Sequence, residues 1–185
     1  WAAGVALTIL TFLTVRQIAY WHDSVALFEH AITTEDSAYA RGNLAEAFMR
    51  DGRNADAEQQ LQAALALARD HFGYHNNLAN VLLKLGNADQ ALREATIAKR
   101  LAPNTLSTTE TMALVSLRKE DFDAAFRELD HAVQLGGDVT IIAKKMNDAG
   151  ASLASRGRPR EAERFISRAV SLSPMLVQAR RNLVL

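Results

Sequence analysis

Large apolar residues, small residues and turn-formers recur along this chain with a single period. Leu44, Leu78 and Met112 stand 34 residues apart, as do Ala57, Ala91 and Ala125, and Ala64, Ala98 and Ala132. Setting Leu44, Leu78, Met112, Ala149 and Leu183 equivalent gives steps of 34, 34, 37 and 34, with the three additional residues expected in the loop around "GGDVTI". The first four landmarks are followed by Ala45, Ala79, Ala113 and Gly150, where a small side chain lets two helices approach closely. Gly52, Gly86 and Gly157 mark a turn, Glu120 being the departure, and Ala57, Ala91, Ala125 and Ala162 open the packed face of a second helix. Pro103 and Pro174 end second helices, and Gly137 takes that place in the unit between them.

A hairpin of two short helices cannot bury its apolar face alone, so such units must stack, each against its neighbours. The pattern therefore predicts an all-α solenoid with full units at 38–71, 72–105, 106–142 and 143–176. Residues 21–37 fit a half-unit consisting of a second helix, with Ser24, Phe28 and Ala31 on its packed face, and 177–185 begin a further first helix. A large residue followed by a small one, a turn glycine, paired alanines and a closing proline resemble the tetratricopeptide repeat. The resemblance implies a right-handed superhelix of antiparallel helix pairs whose first helices line a concave groove that binds a protein or peptide.

In that geometry the residue before each landmark points into the groove: Asn43, Asn77, Thr111, Asp148 and Asn182. An asparagine offers both an acceptor and a donor, so a column of them can hold the backbone of an extended peptide without reading its side chains. The column resembles the asparagine ladder in the repeats of O-GlcNAc transferase, matched at Asn43, Asn77 and Asn182, with Thr111 and Asp148 as departures. Packing or capping of neighbouring helices is the competing role for these residues. Glu46 and Asn80, three residues further on, share the groove face, and Arg50, Lys84 and Arg118 form a second column suited to an acidic segment or to plain solvation. The carboxylate clamp of chaperone-binding repeats is not reproduced, since Gly42 and Glu46 stand where Lys and Asn belong, and Thr111 and Asp148 fail in the next register.

Charge adds little to this picture. The 21 basic and 21 acidic residues are interleaved, which gives no reason to expect nucleic acid as a partner. The absence of cysteine removes disulfides, thiolate zinc sites and cysteine nucleophiles. Hydrolase, nucleotide-binding and zinc-protease motifs do not occur, and no cofactor is expected. His71 and His75 are four apart, but Gly73 lies between them without a third ligand, and they read as solvated histidines. Asp56, Glu58, Asp89 and Glu94 read as a solvated face among basic residues. The chain is thus expected to be a binding module and not an enzyme.

Before the repeats, "AAGVALTILTFL" from Ala2 to Leu13 has no charge and no polar face beyond its threonines. It is too short to span a bilayer alone, yet it runs on into Arg16, Tyr20 and Trp21, which resemble interfacial anchors. Residues 1–20 are therefore expected to be the end of a transmembrane helix or an apolar cap on the solenoid, in a piece of a longer protein. The junction at Trp21, Asp23, Ser24, Leu27 and Phe28 resembles that of membrane glycosyltransferases related to protein O-mannosyltransferases, including the transmembrane and tetratricopeptide-repeat family. That resemblance implies extracytoplasmic repeats with a membrane tether N-terminal to Trp21. The alternative is a soluble cytoplasmic scaffold or assembly factor unconnected with glycosyl transfer.

Overall fold

The computed structural model describes Trp1, Ala6 and residues 24–183. The expected apolar stretch, the anchors Arg16, Tyr20 and Trp21, and Asp23 of the junction lie outside the described residues, Ala6 excepted. Ten helices make up the described chain: α1 (Ser24–Thr34), α2 (Ala38–Arg50), α3 (Asn54–Leu67), α4 (Phe72–Lys84), α5 (Ala88–Leu101), α6 (Leu106–Arg118), α7 (Phe122–Gln134), α8 (Val139–Ser155), α9 (Pro159–Leu172) and α10 (Val177–Leu183). Consecutive helices pack as antiparallel hairpins, and each hairpin stacks on the next, which is the expected all-α solenoid. Among the described residues no helix is long and apolar enough to cross a membrane.

The same turn closes every hairpin. Gly52, Gly86 and Gly157 adopt φ of +74°, +86° and +73°, and Glu120 adopts +61° in the equivalent place. The next N–H then reaches back across the helix end: Arg53 to Phe48 O at 2.9 Å, Asn87 to Leu82 O at 2.8 Å, Asp121 to Ser116 O at 2.9 Å and Arg158 to Leu153 O at 3.0 Å. This Schellman arrangement satisfies carbonyls that the helix end would leave unpaired. Glu120 therefore keeps the turn without glycine's conformational freedom.

Helix starts are fixed by short polar side chains. Ser37 accepts from Ala40 N, Asp121 from Ala124 N, and Asp138 from both Thr140 N at 2.8 Å and Ile141 N at 3.0 Å. The last of these corrects the sequence expectation about "GGDVTI". The additional residues do not lengthen a loop; residues 135–138 are four, like 68–71 and 102–105, and α8 instead runs for 17 residues where α2, α4 and α6 have 13. With Asp138 capping at Val139, continuing the helix satisfies those backbone groups internally, as a longer loop would not.

Small residues sit where helices meet most closely. Ala45, Ala79 and Ala113 are fully buried, as are Ala57, Ala91 and Ala125 on the second helices. At Gly150 a methyl group would stand 2.5 Å from Ile166 Cγ1 and 3.1 Å from Ala162 O, so α8 and α9 touch there at a distance only glycine permits. The large side chains form two cores, one around Leu44, Phe48, Leu61, Leu78 and Leu82, the other around Leu129, Ile142, Met146, Leu153 and Phe165.

Candidate binding groove

The first helices of successive units stand side by side and are joined by a repeated polar bond. Asn77 Nδ2 donates to Glu46 Oε1 at 3.2 Å, linking α4 to α2, and Asn80 Nδ2 donates to Thr111 Oγ1 at 3.0 Å, linking α4 to α6. Both bonds span 31 residues. The next rung would need Leu114, which has no polar atom to offer, and Lys145 instead reaches Glu110 at 3.1 Å. Asn182 donates to the buried Asn147 at 2.9 Å, and Asn147 in turn to Asp148 at 3.3 Å.

Two open depressions follow this face and share Lys84. The first, about 600 Å³, lies over α1, α2 and α4, and its wall includes Asn43, Glu46, Arg50, Asn77 and Lys84. The second, about 570 Å³, lies over α4 and α6 and includes Asn80, Lys84 and Arg118, with Arg156 from the end of α8. The structure thus brings together seven of the residues singled out from the sequence. Of the rest, Thr111 is buried with its hydroxyl bonded to Asn80 and lines neither depression, Asp148 is exposed outside both, and Asn182 faces a separate depression between α8, α9 and α10.

The asparagines present one group and withhold the other. Asn43 Nδ2 donates to Tyr39 O at 2.8 Å, Asn77 Nδ2 to Glu46, and Asn80 Nδ2 to both Asn76 O and Thr111. The amide oxygens of Asn43 and Asn77 accept no hydrogen bond among the described residues. Tyr74 packs beside them over Gly42, and its hydroxyl is pushed above the usual tyrosine range by burial first, then by Glu46 and Tyr39.

The basic column is unpaired. Arg50, Lys84 and Arg118 are exposed in the last turns of α2, α4 and α6, and none forms an ion pair among the described residues. Their neighbours Arg53, Lys119 and Arg156 are paired with Asp56, Asp89 and Glu120. Beside the column runs a second one that the sequence reading passed over: Met49, Leu83 and Leu117, half-buried, each line one of the two depressions. The signal was present, because these three also stand 34 residues apart.

One of the two histidines departs from expectation. His75 is not solvated; it is buried, with Nδ1 2.6 Å from Glu94 Oε2 and Nε2 donating to Arg69 O at 2.8 Å. His71 caps α4 by accepting from Tyr74 N and stacks on the Tyr74 ring. Glu94, half-buried against His75, likewise departs from the expected solvated face, whereas Asp89 keeps to it, exposed and paired with the basic Lys119.

Two tetratricopeptide-repeat family models match, over residues 37–75 and 73–95, so this part of the chain carries tetratricopeptide repeats. No curated protein matches the chain. Among solved structures, it is similar to YrrB, described as a TPR protein with an unusual peptide-binding site, at TM-score 0.70 and 17% identity over 96% of this chain and 88% of that one. It is similar to MamA from Desulfovibrio magneticus at TM-score 0.68 and 17% identity, over 92% and 94%. It is also similar to TTC0263, a thermophilic TPR protein of Thermus thermophilus, at TM-score 0.60 and 21% identity, over 97% of both chains. At these identities the likeness is one of fold.

Proposed function

We propose that this array is a protein-interaction module that holds an extended polypeptide along α2, α4 and α6. The observation that carries this reading is the pair of depressions meeting at Lys84, built from residues in one 34-residue register. With their NH2 groups engaged, Asn43 and Asn77 offer carbonyl oxygens to the N–H groups of a bound backbone, a contact blind to side chains. Such a groove tolerates many sequences, as an acceptor-presenting or assembly module requires.

The test is a panel of labelled peptides of unrelated sequence, titrated against the chain and against Asn43→Ala with Asn77→Ala. The double variant should weaken every binding peptide by a similar factor, while its stability changes by no more than about 1 kcal/mol, because the lost bonds are exposed. Peptides that bind the variant as well as the parent would assign the asparagines to packing, and a panel that does not bind at all would remove the groove reading.

We further place the array on the extracytoplasmic side of a membrane, as the repeat domain of a glycosyltransferase-like protein tethered through residues N-terminal to Trp21. Support comes from the junction resemblance at Trp21, Asp23, Ser24, Leu27 and Phe28, and Ser24 and Phe28 line the first depression. The full-length reading frame tests this: a multispanning segment upstream of Trp1 is expected, and its absence would leave a cytoplasmic scaffold as the better reading.

A further inference from the structure

The groove carries a charge pattern that backbone gripping leaves unexplained. Met49–Arg50, Leu83–Lys84 and Leu117–Arg118 are apolar–cation pairs repeated at the unit spacing, and all six residues line the two depressions. Those depressions hold four cations, Arg50, Lys84, Arg118 and Arg156, against the carboxylates Glu46 and Glu120, on a chain whose net formal charge is zero. Arg156 and Glu120 pair with each other, and Glu46 is engaged by Asn77. The helix dipole favours a cation in a last turn. It does not explain why these three lack carboxylate partners while Arg53, Lys119 and Arg156 each have one.

We propose that the groove selects an extended segment with an acidic side chain at every third residue and apolar residues between; the inference rests on the groove reading and gives it a ligand chemistry. The spacing follows from geometry. Packed helices lie about 8–10 Å apart, and the direct bonds from Asn77 to Glu46 and from Asn80 to Thr111 put the first helices of neighbouring units in contact. A polyproline II chain advances about 3.1 Å per residue with three residues per turn, so it presents one face every about 9.3 Å. Residues i, i+3 and i+6 of such a chain match the column, whereas a β-strand would turn alternate acids away. Arg50 and Arg118 can each grip a carboxylate through two N–H groups, and Lys84 between them acts as a point charge. The intervening apolar side chains lie over Met49, Leu83 and Leu117.

The experiment uses the whole chain and four fluorescent twelve-residue peptides: repeated Glu-Pro-Leu; repeated Gln-Pro-Leu; a permuted peptide of the first composition with its acids adjacent; and repeated Gly-Ser-Ala. Glu-Pro-Leu should bind best, the glutamine and permuted peptides about tenfold more weakly, the summed worth of three exposed ion pairs. Arg50→Gln, Lys84→Gln and Arg118→Gln together should bring Glu-Pro-Leu down to the level of Gln-Pro-Leu. The same exchange at the exposed Arg100, Arg127 and Lys144 should leave the preference intact. Equal binding of the acidic, glutamine and permuted peptides overturns this inference and leaves the groove reading standing. No binding by any of the four, Gly-Ser-Ala included, overturns both, and a preference lost equally in both triple variants would reduce it to net charge.

Discussion

At the scale of the residue, the clearest test of the structure is Glu120. It holds φ of +61° at a turn where three other units have glycine, a conformation that costs an L residue about 1 kcal/mol. It also pairs with Arg156, but both side chains are well exposed and the pair contributes little. Glu120→Gly is therefore expected to raise stability by about 0.5–1 kcal/mol, read as an upward shift of the denaturant midpoint; a fall would mean the ion pair outweighs the strain. His75 is the opposite case. Its ring ties the carbonyl of Arg69, in the connection before α4, to Glu94 on α5, so His75→Ala removes two part-buried bonds together with a buried ring and should cost about 1–3 kcal/mol. The turn position of Glu120 was legible because spacing alone fixes it. The burial of His75 was not, because its two partners are brought to it only by the docking of α5 and the connection onto α4.

At the scale of the element, the units are regular in their turns and differ in how their helices begin. The two backbone N–H bonds to Asp138 start α8 four residues before the sequence register would place a unit, and the helix absorbs what looked like loop. Asp138→Ala should cost about 1 kcal/mol and speed amide exchange in the first turn of α8 alone. The other start with a measurable signature joins α1 to α2. Arg41 grips Asp36 through Nε at 2.5 Å and a second N–H at 2.7 Å, while also reaching Gln60 on α3 at 3.0 Å. Those hydrogen bonds hold the Asp36 carboxyl below its ordinary value, against a smaller opposing effect of desolvation. Because the folded value lies below the unfolded one, the contribution is complete above the unfolded pKa and is lost as pH falls through the folded one. An NMR titration should therefore find the Asp36 midpoint below that of an unstructured aspartate, and Arg41→Gln should return it upward. A midpoint unchanged by that substitution would remove the Arg41 explanation. Periodicity made the helices legible; it could not show which cap would lengthen one of them, since a loop and an extended helix add the same number of residues.

At the scale of the whole molecule, the 34-residue period, the buried alanines and the stacked hairpins were legible because a solenoid repeats one local solution, whereas its division into two cores was not. That division arises in α6, which among the described residues alone supplies both cores, Val115 to the first and Ala113 to the second. Its other buried positions are polar: Thr108, Thr109, Thr111 and Ser116. Their hydroxyls are largely satisfied, Thr108 by Ala102 O, Thr109 by Thr105 O and Lys99, and Thr111 by Asn80, so the helix is stable in place. It nevertheless buries less apolar surface than an aliphatic helix would, and coupling between the two sides is correspondingly weaker. Leu129→Ala, which empties a fully buried position in the second core, should cost about 2–5 kcal/mol. Hydrogen exchange should register that loss across α7, α8 and α9, while the opening free energies of α2, α3 and α4 stay where they were, because each unit feels only its neighbours. The reciprocal substitution, Leu61→Ala in the first core, should leave α8 and α9 equally untouched. If either change lowers protection uniformly from α2 to α9, α6 transmits stability as well as any other helix, and the array unfolds as one unit despite its polar seam.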